Sequence, residues 1–365
     1  MKTSTSKRLR WNVAIWLAAG LFMTGAAGMA SGPIMPDPKA EARHQPQVEE
    51  TANGIPLVNI TAPSSGGVSR NEYETFNVPD KGAILNNSYT LSKTELAGYV
   101  QGNNNMAERP AKIIVNEVTG AGSTSMDGFL EVAGNRADVV IANPNGITVN
   151  GGGFINTGKA FLTTGKPVYD GEDHLQRFDI TGGDILIEGK GLGGKETESL
   201  AILSRAVKIN AGIWAKDLHI TTGTNTVDAK TLEASAIEGK GGCPAFALDT
   251  AAIGGMYAGR ITLVGTEKGL GVNNSGTWSA EDNLTLDWNG DLKNSGTIYS
   301  KGNTDLRASR LENDKTIAAG KDITISADGH VTNTGTVGAG INEIGKLTET
   351  GTLEIQSRRV DNRQG

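Results

Sequence analysis

One cysteine, Cys243, serves all 365 residues, which excludes an intrachain disulfide and any multi-cysteine metal site. The four histidines, His44, His174, His219 and His330, stand far apart with no ligand spacing. A hydrated surface imidazole is the expectation for each. No basic excess exists: charged residues are 20 % and the net charge is −6. The composition therefore carries no electrostatic footprint for nucleic acid or an anionic membrane surface. Beyond residue 30 no apolar run approaches membrane-spanning length. Proline is absent after Pro244, and aromatics are only 5 %. What abounds instead is glycine, 50 residues, about double ordinary usage.

The first thirty residues have their own logic. Lys2, Lys7, Arg8 and Arg10 precede an apolar run from Val13 to Ala30, and small residues (Ala26, Ala27, Gly28, Ala30) crowd its end. This is the pattern of an export signal over 1–30, cleaved near Ala30, read by the general secretion machinery and signal peptidase. The rival, an uncleaved anchor, suits it less because the second half of the run is weakly hydrophobic. Residues 31–52 hold four prolines and no apolar period, and are expected to be a disordered or extended leader.

From there the chain is written in short strands and sharp corners. The stretch "VVIANPNGITVNGGGFINTG" from Val139 packs β-propensity against residues that tolerate left-handed or turn geometry. "NSGT" occurs at Asn274 and again at Asn294, "NDKT" at Asn313 and "NTGT" at Asn333. Between them, "DNLTLDW", "NTDLRAS" and "KDITISADG" alternate apolar and polar residues, as strands with one buried face do. "GDILIEG", "LHITTG" and "RITLVG" look like the same unit at irregular spacing. No useful helical period follows Asn53, "SKTELAGYV" being the one candidate. A period near twenty, made of strands and Asn/Gly corners, predicts one coil of a parallel β-helix. Stacked coils would set equivalent asparagines in an amide ladder, where stacked aspartates would repel.

Enzyme motifs do not stand up in this frame. "GKGLGGKET" from Gly189 imitates a phosphate loop, but Glu196 occupies the place where Ser or Thr must hold Mg²⁺. A polar turn insertion is the better reading. Carboxylates such as Asp184 and Glu188 are scattered singles, not the paired arrangement of a polysaccharide-cleaving β-helix. No cofactor is implied. A secreted β-helix that binds or cleaves polysaccharide remains the alternative function.

"ILNNS" at Ile84, "IIVNEVTG" at Ile113, the stretch from Val139, and "AIGGMYAGRITLVGTEKGLGVNNSG" at Ala252 carry a resemblance. Residues 53–276 resemble the secretion domain of two-partner secretion exoproteins, the family of filamentous haemagglutinins and contact-dependent growth inhibition proteins. Residues 277–365 look like the family's haemagglutinin-type repeats, broken off at "VDNRQG", as in a truncated or continuing chain. The resemblance implies an all-β, right-handed parallel β-helix with an amino-terminal cap. It also implies a non-enzymatic role, and export through a dedicated outer-membrane barrel transporter with periplasmic domains. Delivery to the cell surface of a diderm bacterium would follow, where the chain serves an adhesin or inhibition fibre that meets host or neighbouring cells. The family's NPNGI motif is intact as Asn143, Pro144, Asn145, Gly146 and Ile147. Its NPNL motif falls on Asn103, Asn104, Asn105 and Met106, where proline has become Asn104 and leucine Met106. Both are expected to serve transporter recognition or folding. Cys243 is expected to be a small buried or loop residue.

Overall fold

The structure, a computed structural model, describes residues 32–106, 109–239 and 242–363. The expected export signal, 1–30, lies outside them. No α-helix occurs among the described residues.

The repeat unit is a coil of three strands. Thr277–Ala280, Leu284–Trp288 and Leu292–Asn294 make one coil; Thr297–Ser300, Thr304–Ala308 and Leu311–Asn313 make the next. Each strand pairs in parallel with its equivalent one coil on, as in Trp278↔Ile298↔Ile317, Leu286↔Leu306↔Ile325 and Leu292↔Leu311↔Val331. Strand geometry sends alternate side chains inward, so these columns fill the interior, and all nine residues are at most 2 % exposed. Each such burial stabilises by about 1.5–3 kcal/mol, which no isolated coil could collect because its apolar faces would remain wet. One face forms a ten-stranded parallel sheet from Thr124–Met126 to Arg359–Asn362. The strands Gly212–Thr222 and Gly255–Gly265 run unbroken round a corner and join the other two faces.

The expected amide ladder is present. Asn274 donates to Asn294 at 2.8 Å, Asn294 to Asn313, Asn313 to Asn333, and Asn333 to Asn362, each of the last three at 2.7 Å. The intervals are 20, 19, 20 and 29 residues, the last lengthened by an insertion, residues 340–352, between Thr336–Ala339 and Leu353–Gln356. An amide both donates and accepts, so it satisfies its neighbours on both sides at a corner where water is excluded.

Antiparallel pieces decorate the solenoid. Of the disordered or extended leader expected over 31–52, the disordered reading fails: Ile34–Pro36 pairs antiparallel with the 68–76 strand, and Gln47–Glu50 with Pro56–Asn59. These strands need no apolar period of their own, because the first coil's edge supplies their hydrogen-bond partners and is covered in return. The helix candidate "SKTELAGYV" is a hairpin, Ser92–Thr94 with Gly98–Val100. "GKGLGGKET" is a coil corner plus the strand Leu192–Gly194, with Leu192 fully buried, and not an insertion. A four-stranded extra-helical sheet combines Lys166–Tyr169, Leu175–Ile180, Asn225–Asp228 and Ala234–Ala236. It covers an outward apolar patch of Val68, Val115, Val140, Phe161 and Leu203 with Phe178 and Val227. The histidine expectation fails twice. His44 is 5 % exposed, with Nδ1 3.0 Å from Glu72 Oε1. His219 is half-buried, and desolvation lowers its pKa to about 4. His174 is half-buried beside Asp170, and His330 is exposed.

Candidate functional site

The two asparagine motifs fold into the same corner. In the first, Asn143 is fully buried, and its Nδ2 donates to Gly122 O at 2.9 Å and Thr124 Oγ1 at 3.0 Å, on the preceding coil. Its Oδ1 accepts from the Asn145 backbone N–H at 2.9 Å, and its carbonyl accepts from Gly146 N–H at 3.1 Å. The Asn145 Nδ2 reaches back to Gly120 O at 2.8 Å. Ile147 then enters the core, pairing with Thr124 and Ile185.

The second corner repeats this arrangement, with a backbone carbonyl where the first has the Thr124 hydroxyl. Asn103 is 2 % exposed, and its Nδ2 donates to Ile60 O and Asn86 O, both at 2.9 Å. Its Oδ1 accepts from Asn105 N–H at 2.9 Å, and its carbonyl from Met106 N–H at 3.1 Å. The Asn105 Nδ2 reaches Ile60 O at 3.1 Å. Met106 is fully buried and closes a single 3-10 turn, Asn104–Met106. Asparagine suits the first position because its short side chain mimics a backbone turn while its amide satisfies carbonyls of the coil before.

The matched geometry sorts the residues. In each corner the second position, Pro144 or Asn104, is exposed, and the first and fourth are buried. The change from proline to asparagine therefore falls where neither residue's side chain meets the core. Gly146 has φ +108°, a conformation L side chains rarely adopt, and a Cβ there would stand 3.0 Å from Asp184 O. The corners sit on different coils, and neither shares a hydrogen-bond partner with the other. The ILNNS stretch supports one of them: Asn86 donates to Asn59 Oδ1 at 2.8 Å and offers its carbonyl to Asn103. Asn87, fully buried, brackets Ala111, accepting its N–H at 2.7 Å and donating to its carbonyl at 2.9 Å. Consecutive asparagines inside an apolar strand were the signal for this pair. Among the described residues, no group of three or more His, Cys, Asp or Glu side chains is placed to hold a metal.

A parallel β-helix with an antiparallel cap, an extra-helical sheet and two paired asparagine corners is the architecture of a secretion domain of two-partner exoproteins. The TPS secretion domain family model matches residues 33–299, and the chain belongs to that family. A haemagglutinin repeat model matches 336–365. The family match begins twenty residues before the expected 53, taking in the ordered cap. Over 298 residues the chain is 41 % identical to Toxin CdiA of Yersinia pestis, covering 75 % of this chain and 9 % of that protein. Over 329 residues it is 41 % identical to the 16S rRNA endonuclease CdiA of Enterobacter cloacae, covering 89 % of this chain and 10 % of that one. The chain thus spans about a tenth of the length of these relatives. A crystal structure of a filamentous hemagglutinin secretion domain superposes with a TM-score of 0.66 at 29 % identity, covering 89 % of this chain and all of that one. The chain carries the secretion domain of CdiA- and filamentous haemagglutinin-type exoproteins.

Proposed function

We propose that this chain directs export of a contact-dependent inhibition exoprotein to the surface of a diderm bacterium, and that its solenoid is the first part to fold outside. The supporting observation is the family match over 33–299, joined to two corners whose buried members tie successive coils. The chain would cross the inner membrane by its leading segment, lose that segment to signal peptidase, and reach the transporter unfolded. An unfolded chain offers extended backbone, which the transporter's periplasmic domains can recruit by strand addition. Each coil that forms outside buries apolar surface and opposes retreat through the pore, so export needs no nucleotide. The corners contribute by fixing register, and in the folded chain Pro144, Asn145 and Asn104 are the motif members that stand exposed. The haemagglutinin repeats extend the same solenoid as a stalk toward a neighbouring cell.

The test is production of the full chain with and without its cognate transporter, followed by assay of the culture medium and cell surface. Transporter-dependent appearance outside supports the reading. Equal export without the transporter contradicts it.

A further inference from the structure

Three segments far apart in sequence converge on one arginine. Arg70 lies on the 68–76 strand, and its NH2 stands 2.9 Å from Glu72 Oε1 and 3.4 Å from Glu117 Oε2. Glu72 and Glu117 are directly opposed across two parallel strands, an arrangement that repels unless a cation lies between them. From the cap comes His44, within 3.0 Å of Glu72. From the extra-helical sheet comes Tyr169, whose ring lies under the Arg70 guanidinium at 4.5 Å. The cap and the loop that follows Tyr169 also meet directly: Arg43 pairs with Asp173 at 2.6 Å, across 130 residues of sequence. Ser64 Oγ donates to Asp173 O at 3.4 Å, and the His174 ring occupies the space a Cβ on Gly66 would need.

We propose that this cluster is a folding latch: the amino-terminal cap, residues 34–50, locks onto the solenoid only when the loop 170–174 and Tyr169 arrive on Arg70. Before that moment the His44, Glu72 and Arg70 side chains face water, where their attractions are weak. Tyr169 and the 170–174 loop exclude that water, leaving side-chain exposures of 6 %, 12 % and 24 % for His44, Glu72 and Arg70, and 7 % for Glu117. The same pairs are then worth more, and cap and sheet hold each other. Burial also pushes the Glu117 carboxyl up, and burial with the Arg70 charge holds His44 down, as a sealed site requires. During export the cap would therefore stay open until about residue 175 has emerged, and close in one step. This rests on the reading that the chain folds as it leaves the transporter, but the latch itself is measurable without one.

The experiment is pulse-labelled hydrogen exchange during refolding of the full chain. Peptides from 34–50 should gain protection at the same rate as those from 166–180, and after those from 113–118. Cap protection that precedes the 166–180 peptides overturns the latch. Asp173→Asn, which removes only the outer Arg43–Asp173 pair, and Arg43→Gln, which also removes the local Arg43–Glu41 pair at 2.9 Å, should each raise native-state exchange in 34–50 by about two- to fivefold, the factor an exposed ion pair confers. Exchange over 284–333 should not change. Unaltered exchange in the cap of both variants also overturns the proposal. Export through the transporter is scored separately, so a failure of the export reading is distinguishable from a failure of the latch.

Discussion

Gly146→Val probes the corner where backbone conformation and packing are both demanding. At φ +108° a β-branched residue carries strain of about 1–3 kcal/mol. Its Cβ would stand 3.0 Å from the carbonyl of Asp184 on the next coil, and the branching methyls would press further. Relief means moving the turn, which endangers the bond from Gly146 N–H to Asn143 O at 3.1 Å and that from Thr124 N–H to Gly146 O at 3.0 Å. Each is worth about 1 kcal/mol. The total, about 3–5 kcal/mol, is a large share of an ordinary domain's stability. Contacts in a solenoid run mainly between neighbouring coils, so the damage should stay local. Hydrogen exchange of the refolded variant should accelerate about 100-fold or more over 137–163 and change little over 297–339. Pro144→Asn supplies the control. The position is exposed, and Asn104 already stands there in the sister corner, so the change should cost less than about 0.5 kcal/mol. Exchange in Gly146→Val that matches the unsubstituted chain would show that this corner tolerates a side chain at positive φ.

Asn294→Asp should be among the most damaging ladder changes, because Nδ2 now donates to Asn313 Oδ1, Thr316 O and Gly296 O, and a carboxylate would set an acceptor against all three. A loss on the order of 3–5 kcal/mol is expected by denaturant titration, shrinking at acid pH as the new carboxyl protonates. His219 prefers its neutral form in the fold, so its contribution is intact above the unfolded value of 6.5 and is lost as pH falls toward about 4. The loss should reach about 3 kcal/mol, and His219→Gln should remove that part of the acid sensitivity in a stability-versus-pH titration. Cys243 is exposed, so a maleimide should label it fully without denaturant and non-reducing electrophoresis should show monomer; a protected thiol or a reducible dimer would contradict this.

The solenoid was legible because its physics is local and repeated. Leu284, Leu286, Ile323 and Ile325 alternate with polar neighbours, and all four are buried. The asparagines at intervals of 19 and 20 residues mark the corners where amides stack. The cap was not legible, since Pro36 finds its partner at Tyr73, and its order comes from a strand edge rather than its own pattern. The extra-helical sheet hid for the same reason: Phe178 opposes Val227, 49 positions along the chain. His44 looked like a surface imidazole because the charges that surround it, Arg70 and Glu72, come from another segment. The motif positions could be placed from the sequence, but not the equivalence of the two corners. That rests on which carbonyls Asn103 and Asn143 reach, and those carbonyls belong to earlier coils.

If the corners act in export through folding, and not as side chains read by the transporter, export must track stability. The direct measurement is the initial export rate of Gly146→Val, Asn145→Gly and Pro144→Asn through the cognate transporter, set against the stability of each refolded chain. Export should fall in the order of lost stability: Gly146→Val most, Asn145→Gly less, Pro144→Asn close to the unsubstituted chain. A variant that refolds with full stability yet is not exported would contradict it.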